Sequence, residues 1–329
     1  MKLLSFIDGR SVALGALDPS GELVCALGDA AEARGLERPS TFARALPFLA
    51  AGREAVDQAR ELADWAFGER PEGVVRALVD LQLAAPVPRP NSVRDTMSFE
   101  RHIIQATRRA VPAPLRRLDI ALERRVGPRR SLAGRANKAF YERPLYYKSN
   151  PRSVVGPDAE VRMPSYTKRF DYELEWGIFI GTRGVDISAS AARDHIAGYV
   201  VFNDFSARDI QMAEMRGRLG PAKGKDFDTG NAIGPWMVTP DELPDPYALT
   251  MTARVNGAEW SRGSTRDMYW SFEEIIAHIS RAETLFPGDF IGSGTVGGGC
   301  GLELGVFLER GDEVELEVER IGRLRNRVV

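Results

Sequence analysis

Apolar positions along this chain follow two rhythms. Near the start, "LLSFIDG", "VALGALDPSG" and "ELVCAL" predict two or three short strands, with an Asp-Pro-Ser-Gly turn between them. "GREAVDQARELADWAFGE" then spaces its apolar residues at the helical period, and "EGVVRALVDLQLAAP" follows. The Pro-rich "APVPRPNS" resists both helix and central strand. Residues 1–90 are therefore expected to form a small α+β domain. From about residue 140 the rhythm becomes that of many short strands between Gly and Pro turns: "PLYYKSN", "AEVRMP", "YELEWGIFIG", "AGYVVFND", "NAIGPWMVT", "LTMTARVNG", "DFIGSGTVGG" and "ELEVERIG". Two short helices, "ISASAARDHI" and "SFEEIIAHIS", interrupt them. Regular strand spacing favours a coiled or barrel-like sheet over a parallel βαβ array. The expected class is α+β, mostly β, with residues 91–329 as the larger, β-rich domain.

Between these regions, "DTMSFERHIIQATRRAV" reads as a helix starting at Asp95 or Ser98. His102 then follows Asp95 by about two turns, so one helix face would present both. Residues 108–138 form an arginine-rich helical excursion. A solvated face explains its charge, since no aromatic residues interleave with it as a nucleic-acid surface would require, and it is also placed to serve as a lid.

The stretch "DYELEW" at residues 171–176 poses an electrostatic problem. In a strand, Tyr172, Leu174 and Trp176 share one face and Glu173 and Glu175 the other. The apolar "GIFIG" that follows implies burial, and two neighbouring buried carboxylates need a cation or several donors. "VVFNDFSARDIQ" ends an apolar strand in Asp204, which is either a helix cap or a third oxygen ligand for a hard cation. Arg208 and Gln211, three apart, share a helix face that can point the same way, whereas Asp209 lies off it. Lys225 stands in a Gly-rich loop, and Thr295 in the Gly-dense "GSGTVGGGCGLELG".

Composition narrows the picture. A net charge of -2 gives no general attraction to nucleic acid or anionic lipid, and no apolar run approaches the roughly 20 residues of a membrane span. The N-terminus runs directly into strand-like sequence rather than a signal peptide, so a cytoplasmic enzyme is expected. Cys25 and Cys300 are far apart, which argues against a disulfide scaffold or a cysteine-based zinc site. His195 and His278, in amphipathic helices without acidic surroundings, read as structural.

In order, "DTMSFERH", "YYKSNPRSVVG", "YELEWGIFIG", "NDFSARDIQ", "GKDFDTGNAIGPW" and "GTVGGGCGLELG" resemble the fumarylacetoacetate hydrolase family over about residues 90–305. The resemblance implies that Asp95, Glu173, Glu175 and Asp204 bind a divalent metal, Mg2+ or Ca2+ with Mn2+ as a third option. It implies His102 as general base, oriented by Glu303, with Arg208, Gln211 and Lys225 stabilising negative charge and Tyr147 and Thr295 contacting substrate. Met97, Lys148 and Asn150 stand where the family's fumarylacetoacetate-cleaving pattern carries a tyrosine, a histidine and an arginine, which puts that substrate in doubt. The implied function is metal-dependent hydrolysis of a carbon–carbon bond in a β-diketo acid or acylpyruvate, through a metal-stabilised enolate. Two alternatives stand beside it: a decarboxylase, hydratase or isomerase of a 2-keto acid on the same scaffold, and a non-catalytic dimeric binding protein. The expected partners are a small keto or diketo acid and a second copy of the chain, with no nucleic acid and no membrane. A purely structural reading would have the acids form buried ion pairs with Arg208 and Lys225.

Overall fold

A computed structural model describes residues 1–329. Its main feature is a twelve-stranded sheet in which Val75–Ala77, Leu23–Ala26, Ser11–Leu17, Lys2–Asp8, Asn231–Val238, Ile196–Asp204, Leu174–Ile180, Asp289–Gly292, Ser92–Met97 and Leu145–Ser149 neighbour one another in that order. A five-stranded sheet, ordered Ala258–Ser264, Thr250–Val255, Glu313–Val318, Gly322–Val328 and Glu160–Val161, packs on it. The α+β, strand-rich class follows the sequence expectation.

The strand Leu174–Ile180 is buried along its whole length because it is covered on both faces. Leu174, Trp176, Ile178 and Ile180 join the core against Met251, Val255, Leu316 and Val318 of the smaller sheet. Phe179 faces the other way, with Val200, Phe202 and Phe290, into a core shared with Ala55, Ala59, Leu62 and Ala66 of the helix Arg53–Glu69. Trp176 stacks on Tyr199 with ring centroids 5.6 Å apart and meets Phe272 edge-on at 4.7 Å. Such aromatic pairs contribute about 1 kcal/mol each beyond area burial, so the strand that carries Glu175 and directly follows Glu173 is held rigidly.

Three local expectations are corrected. Residues 92–97 are a strand, and the helix begins only at Glu100. The strand pairs in parallel with Asp289–Gly292 and antiparallel with Leu145–Ser149, and these long-range ladders override the local helical pattern. Asp95 and His102 therefore do not share a helix face. "ISASAARDHI" yields only a single 3-10 turn, Ala192–His195, and the N–H groups of Asp186 and Ile187 at its start donate to the carbonyl and hydroxyl of Ser280 at 2.8 and 3.0 Å rather than entering a helix. His195 is accordingly not in an amphipathic helix.

The arginine-rich segment forms the helices Ala113–Val126, Leu132–Ala136 and Lys138–Glu142. Asp119 pins it, accepting from Arg108 Nε at 2.7 Å and from the backbone of Leu132 at 2.5 Å. The sheet runs across residue 90: Lys2 and Leu3 pair with Val238 and Met237. No helix is long and apolar enough to cross a membrane.

Candidate active site

Adjacent strands of the main sheet deliver the acids. Glu175 lies on Leu174–Ile180, Asp204 ends the next strand, and Asp95 comes from Ser92–Met97, one strand beyond Asp289–Gly292. The intervening strand yields space at Gly292, where a Cβ would stand 2.5 Å from Asp95 Oδ1 and 3.0 Å from the Phe202 ring. Asp95, Glu175 and Asp204 thus gather oxygens within 4.8 Å of one another, all buried. Glu175 Oε2 and Asp204 Oδ1 have no hydrogen-bond partner, a costly state for buried carboxylate oxygens.

Their electrostatics express that cost. Burial, reinforced by the Asp204 charge, raises Asp95 well above the ordinary carboxylate range. Burial and the Asp95 charge do the same to Glu175. For Asp204, burial outweighs the attraction of Lys225 and pushes the pKa up to about 6. Glu173 goes the other way: burial opposes its charge, but Arg208 and Lys225 overcome burial and hold the carboxyl well below its usual range.

The reason for the difference is geometric. Both Glu173 oxygens are taken, one by Arg208 Nη2 at 2.7 Å and the other by Lys225 Nζ at 2.5 Å. Lys225 Nζ also reaches Asp204 Oδ2 at 2.5 Å, and Arg208 donates to Asp171 at 2.7 Å and to Gln211 at 2.9 Å. The buried ion pairs of the structural reading are therefore present for Glu173 and Asp204. They do not balance the site, because five buried carboxylates (Asp95, Asp171, Glu173, Glu175 and Asp204) face two cations, Arg208 and Lys225. Excess negative charge, orphaned oxygens and an all-oxygen donor set fit a hard divalent cation such as Mg2+ or Ca2+ at Asp95, Glu175 and Asp204. Glu173, expected as a ligand, is instead engaged with the two cations.

Tyr147 hydrogen-bonds to Asp204, and Thr295 donates to Glu175 Oε1 at 3.2 Å, so both border the acids. His102, on the helix Glu100–Arg109, places Nδ1 3.1 Å from Glu303 Oε2. Glu303 is fixed through its other oxygen by the backbone N–H of Gly298 at 3.0 Å. A histidine held by a carboxylate is a general acid–base arrangement.

Sequence reasoning missed three residues. Asp171 accepts from Gly301 and Leu302 N–H at 2.7 and 2.9 Å as well as from Arg208, and so ties the Glu303 turn to the cationic cluster. It is the first letter of "DYELEW", and its place on the glutamate face of the strand was the available signal. Arg109 Nε donates to the Glu303 carbonyl at 2.9 Å, and Cys300 Sγ lies 3.3 Å from Glu303 Oε2. No sequence signal marks either.

A model of the fumarylacetoacetate hydrolase C-terminal domain matches residues 125–329. A human mitochondrial oxaloacetate tautomerase, FAHD2A, is 40% identical over 187 residues, 56% of this chain and 59% of that protein. The rat counterpart is 38% identical over the same shares. These matches span less than two thirds of the relatives' length. Among solved structures, a fumarylacetoacetate hydrolase from Exiguobacterium antarcticum superposes with a TM-score of 0.72 at 26% identity, covering 100% of this chain and 99% of that one. A maleylpyruvate hydrolase from Sphingobium shares the fold, with a TM-score of 0.71 at 21% identity, covering 100% and 99%. With the family model covering well over half its length, the chain belongs to the fumarylacetoacetate hydrolase family.

Proposed function

We propose that the protein is a metal-dependent enzyme that hydrolyses a carbon–carbon bond in a β-diketo acid of the acylpyruvate type. The observation that carries this reading is the His102–Glu303 pair, a carboxylate-held base whose imidazole acts electrostatically on Glu173, which Lys225 in turn links to Asp204 of the three carboxylates suited to a cation. A divalent cation at Asp95, Glu175 and Asp204, Mg2+ or Ca2+ in the first instance, would supply Lewis acidity and bind the oxygens of a 2-oxo acid.

The chain's own groups do the rest. His102 takes a proton from water while Glu303 steadies the imidazolium, and the water oxygen adds to the distal carbonyl carbon. As the carbon–carbon bond breaks, its electron pair passes to the pyruvate half as an enolate. Arg208 and Lys225 offset the growing charge, with Gln211 positioning Arg208. The proton held by His102 returns to carbon, leaving a carboxylic acid and a 2-oxo acid. Tyr147 and Thr295 are assigned to substrate contact. A homodimer belongs to the same proposal, on family analogy, and a solution mass of one chain would remove it. The expectation of a cytoplasmic protein does not rest on that analogy, since the human and rat relatives are named as mitochondrial.

A second reading is favoured by one observation, the 40% identity to an oxaloacetate tautomerase. The same base and cation would then move a proton between carbon and oxygen, without water addition. Purified protein with Mg2+ should consume an acylpyruvate, seen as loss of diketone absorbance with release of pyruvate. His102→Ala should lower that rate about 10²–10⁴-fold. Accelerated enol–keto conversion of oxaloacetate with no pyruvate formed from any acylpyruvate would replace the first reading by the second.

A further inference from the structure

His102, Cys300 and Glu303 form a second set of metal-ligating atoms, all within 4.8 Å of one another and distinct from the three-carboxylate cluster. Cys300 immediately precedes the short helix Gly301–Leu304, which brings its sulfur and the Glu303 carboxylate together, while His102 arrives from the helix Glu100–Arg109. Glu303 Oε2 is 3.1 Å from His102 Nδ1 and 3.3 Å from Cys300 Sγ. Zinc bonds nitrogen at about 2.0–2.1 Å, carboxylate oxygen at about 2.0–2.2 Å and sulfur at about 2.3 Å in a tetrahedron, so ligand-to-ligand edges come to roughly 3.3–3.7 Å. The two separations already lie close to that range.

Donor chemistry separates the two sites. The Asp95, Glu175 and Asp204 set is all oxygen and suits hard cations, whereas imidazole, thiolate and carboxylate together suit a borderline-soft metal. Charge agrees as well: a zinc ion with one thiolate, one carboxylate and a neutral imidazole is a neutral unit, which is the form a buried site tolerates.

The wide spacing of the two cysteines argues against a zinc site built on a cysteine pair, but not against one cysteine joined by a histidine and a carboxylate. Contrary to the expectation drawn from that spacing, we propose that His102, Cys300 and Glu303 are a zinc-binding site, with a fourth position for water. Binding replaces the thiol proton of Cys300, which leaves to solvent, by a sulfur–zinc bond, with no change of oxidation state. It also occupies the imidazole nitrogen that faces Glu303, so zinc at this site would silence the base. That consequence rests on the functional reading above, but the binding itself does not.

The test uses Co2+ as a spectroscopic stand-in for zinc on the full chain, already saturated with Mg2+. A thiolate-to-cobalt charge-transfer band in the near ultraviolet should grow to one equivalent and disappear when Zn2+ is added. The oxygen-only site cannot produce that band. The chain has two cysteines, so the band should persist in Cys25→Ser and vanish in Cys300→Ser. If Cys300→Ser fails to fold, persistence in Cys25→Ser still assigns the sulfur. No band in the wild-type protein, or a band lost in Cys25→Ser, would overturn the proposal whether or not the enzyme turns over any diketo acid.

Discussion

Lys225 Nζ, with the residue only 1% exposed, is bonded to Glu173 and Asp204 at once. Removing one partner of a buried pair typically costs about 3–5 kcal/mol because the remaining charge is stranded. Lys225→Met should therefore lower the stability of the metal-free protein by about that much in urea unfolding, and saturating Mg2+ should recover part of the loss. A variant that is equally stable with and without Mg2+ would mean that the cluster does not share its charge with a cation. The same carboxylates set a pH dependence. Asp204 is raised from 3.8 to about 6, so the folded protein binds its proton more tightly than the unfolded chain does. A raised acid contributes stability below the unfolded value and loses it as pH climbs through the folded one. A rise of that size bounds the effect at roughly 3 kcal/mol. Glu173, held low, works oppositely and only below its ordinary 4.5. Metal-free protein should thus begin to lose stability above about pH 4, with Asp204 contributing up to about pH 6 and Asp95 and Glu175, whose pKa values burial also raises, extending the loss beyond it. The thermal stabilisation by Mg2+, which competes with those protons, should grow over the same range. A Mg2+ effect that shrinks with rising pH would contradict this account.

At the scale of elements, the site depends on how closely Ser92–Met97 approaches Leu174–Ile180 across Asp289–Gly292. Gly292→Ala would force a methyl to 2.5 Å from Asp95 Oδ1 and against the Phe202 ring. The expected outcome is a loss of about 1–3 kcal/mol from overpacking, with Mg2+ affinity, measured by calorimetry, weakened beyond that of a surface control. An unchanged affinity would remove Asp95 from the ligand set. This register also shows what the sequence could and could not reveal. Alternation within "DYELEW" placed Glu173 and Glu175 on one face, and the end of an apolar run placed Asp204, because both are local consequences of strand geometry. Arg208 and Gln211, three apart, meet for the same kind of reason. Asp95 was misread as helical because only pairing with residues nearly 200 positions away makes it a strand. The contact of His102 with Glu303 spans 201 positions, and only the family resemblance suggested it. That Glu173 is occupied by two cations depends on side-chain competition that no spacing rule encodes.

For the whole molecule, the question is whether residues 1–90 form a unit of their own. The Pro-rich stretch near residue 90 suggests a boundary, yet the strand Lys2–Asp8 hydrogen-bonds to Asn231–Val238 inside the main sheet. One core of 26 buried residues mixes Leu3, Leu14, Phe48 and Leu62 with Phe179, Val200, Phe202, Ile233 and Phe290. Phe202 packs edge-on against Phe290 at 5.0 Å, and Phe179 lies 5.2 Å from Phe290, so this core backs directly onto the strands that carry Glu175 and Asp204. Deleting residues 1–90 would uncover those rings and leave the Met237–Val238 end of Asn231–Val238 unpaired on one side, while Val154–Val155 still covers Asn231 and Ala232. An exposed strand end of this kind favours aggregation. We propose that both segments unfold together. Urea unfolding followed by far-ultraviolet circular dichroism, tryptophan fluorescence and Mg2+-dependent protection should give coincident midpoints, with Trp65 of the N-terminal helix and Trp176 of the central strand reporting the same transition. Two separated transitions, or a soluble 91–329 fragment that retains Mg2+ binding, would instead establish residues 1–90 as an independent domain whose sheet contacts do not support the site.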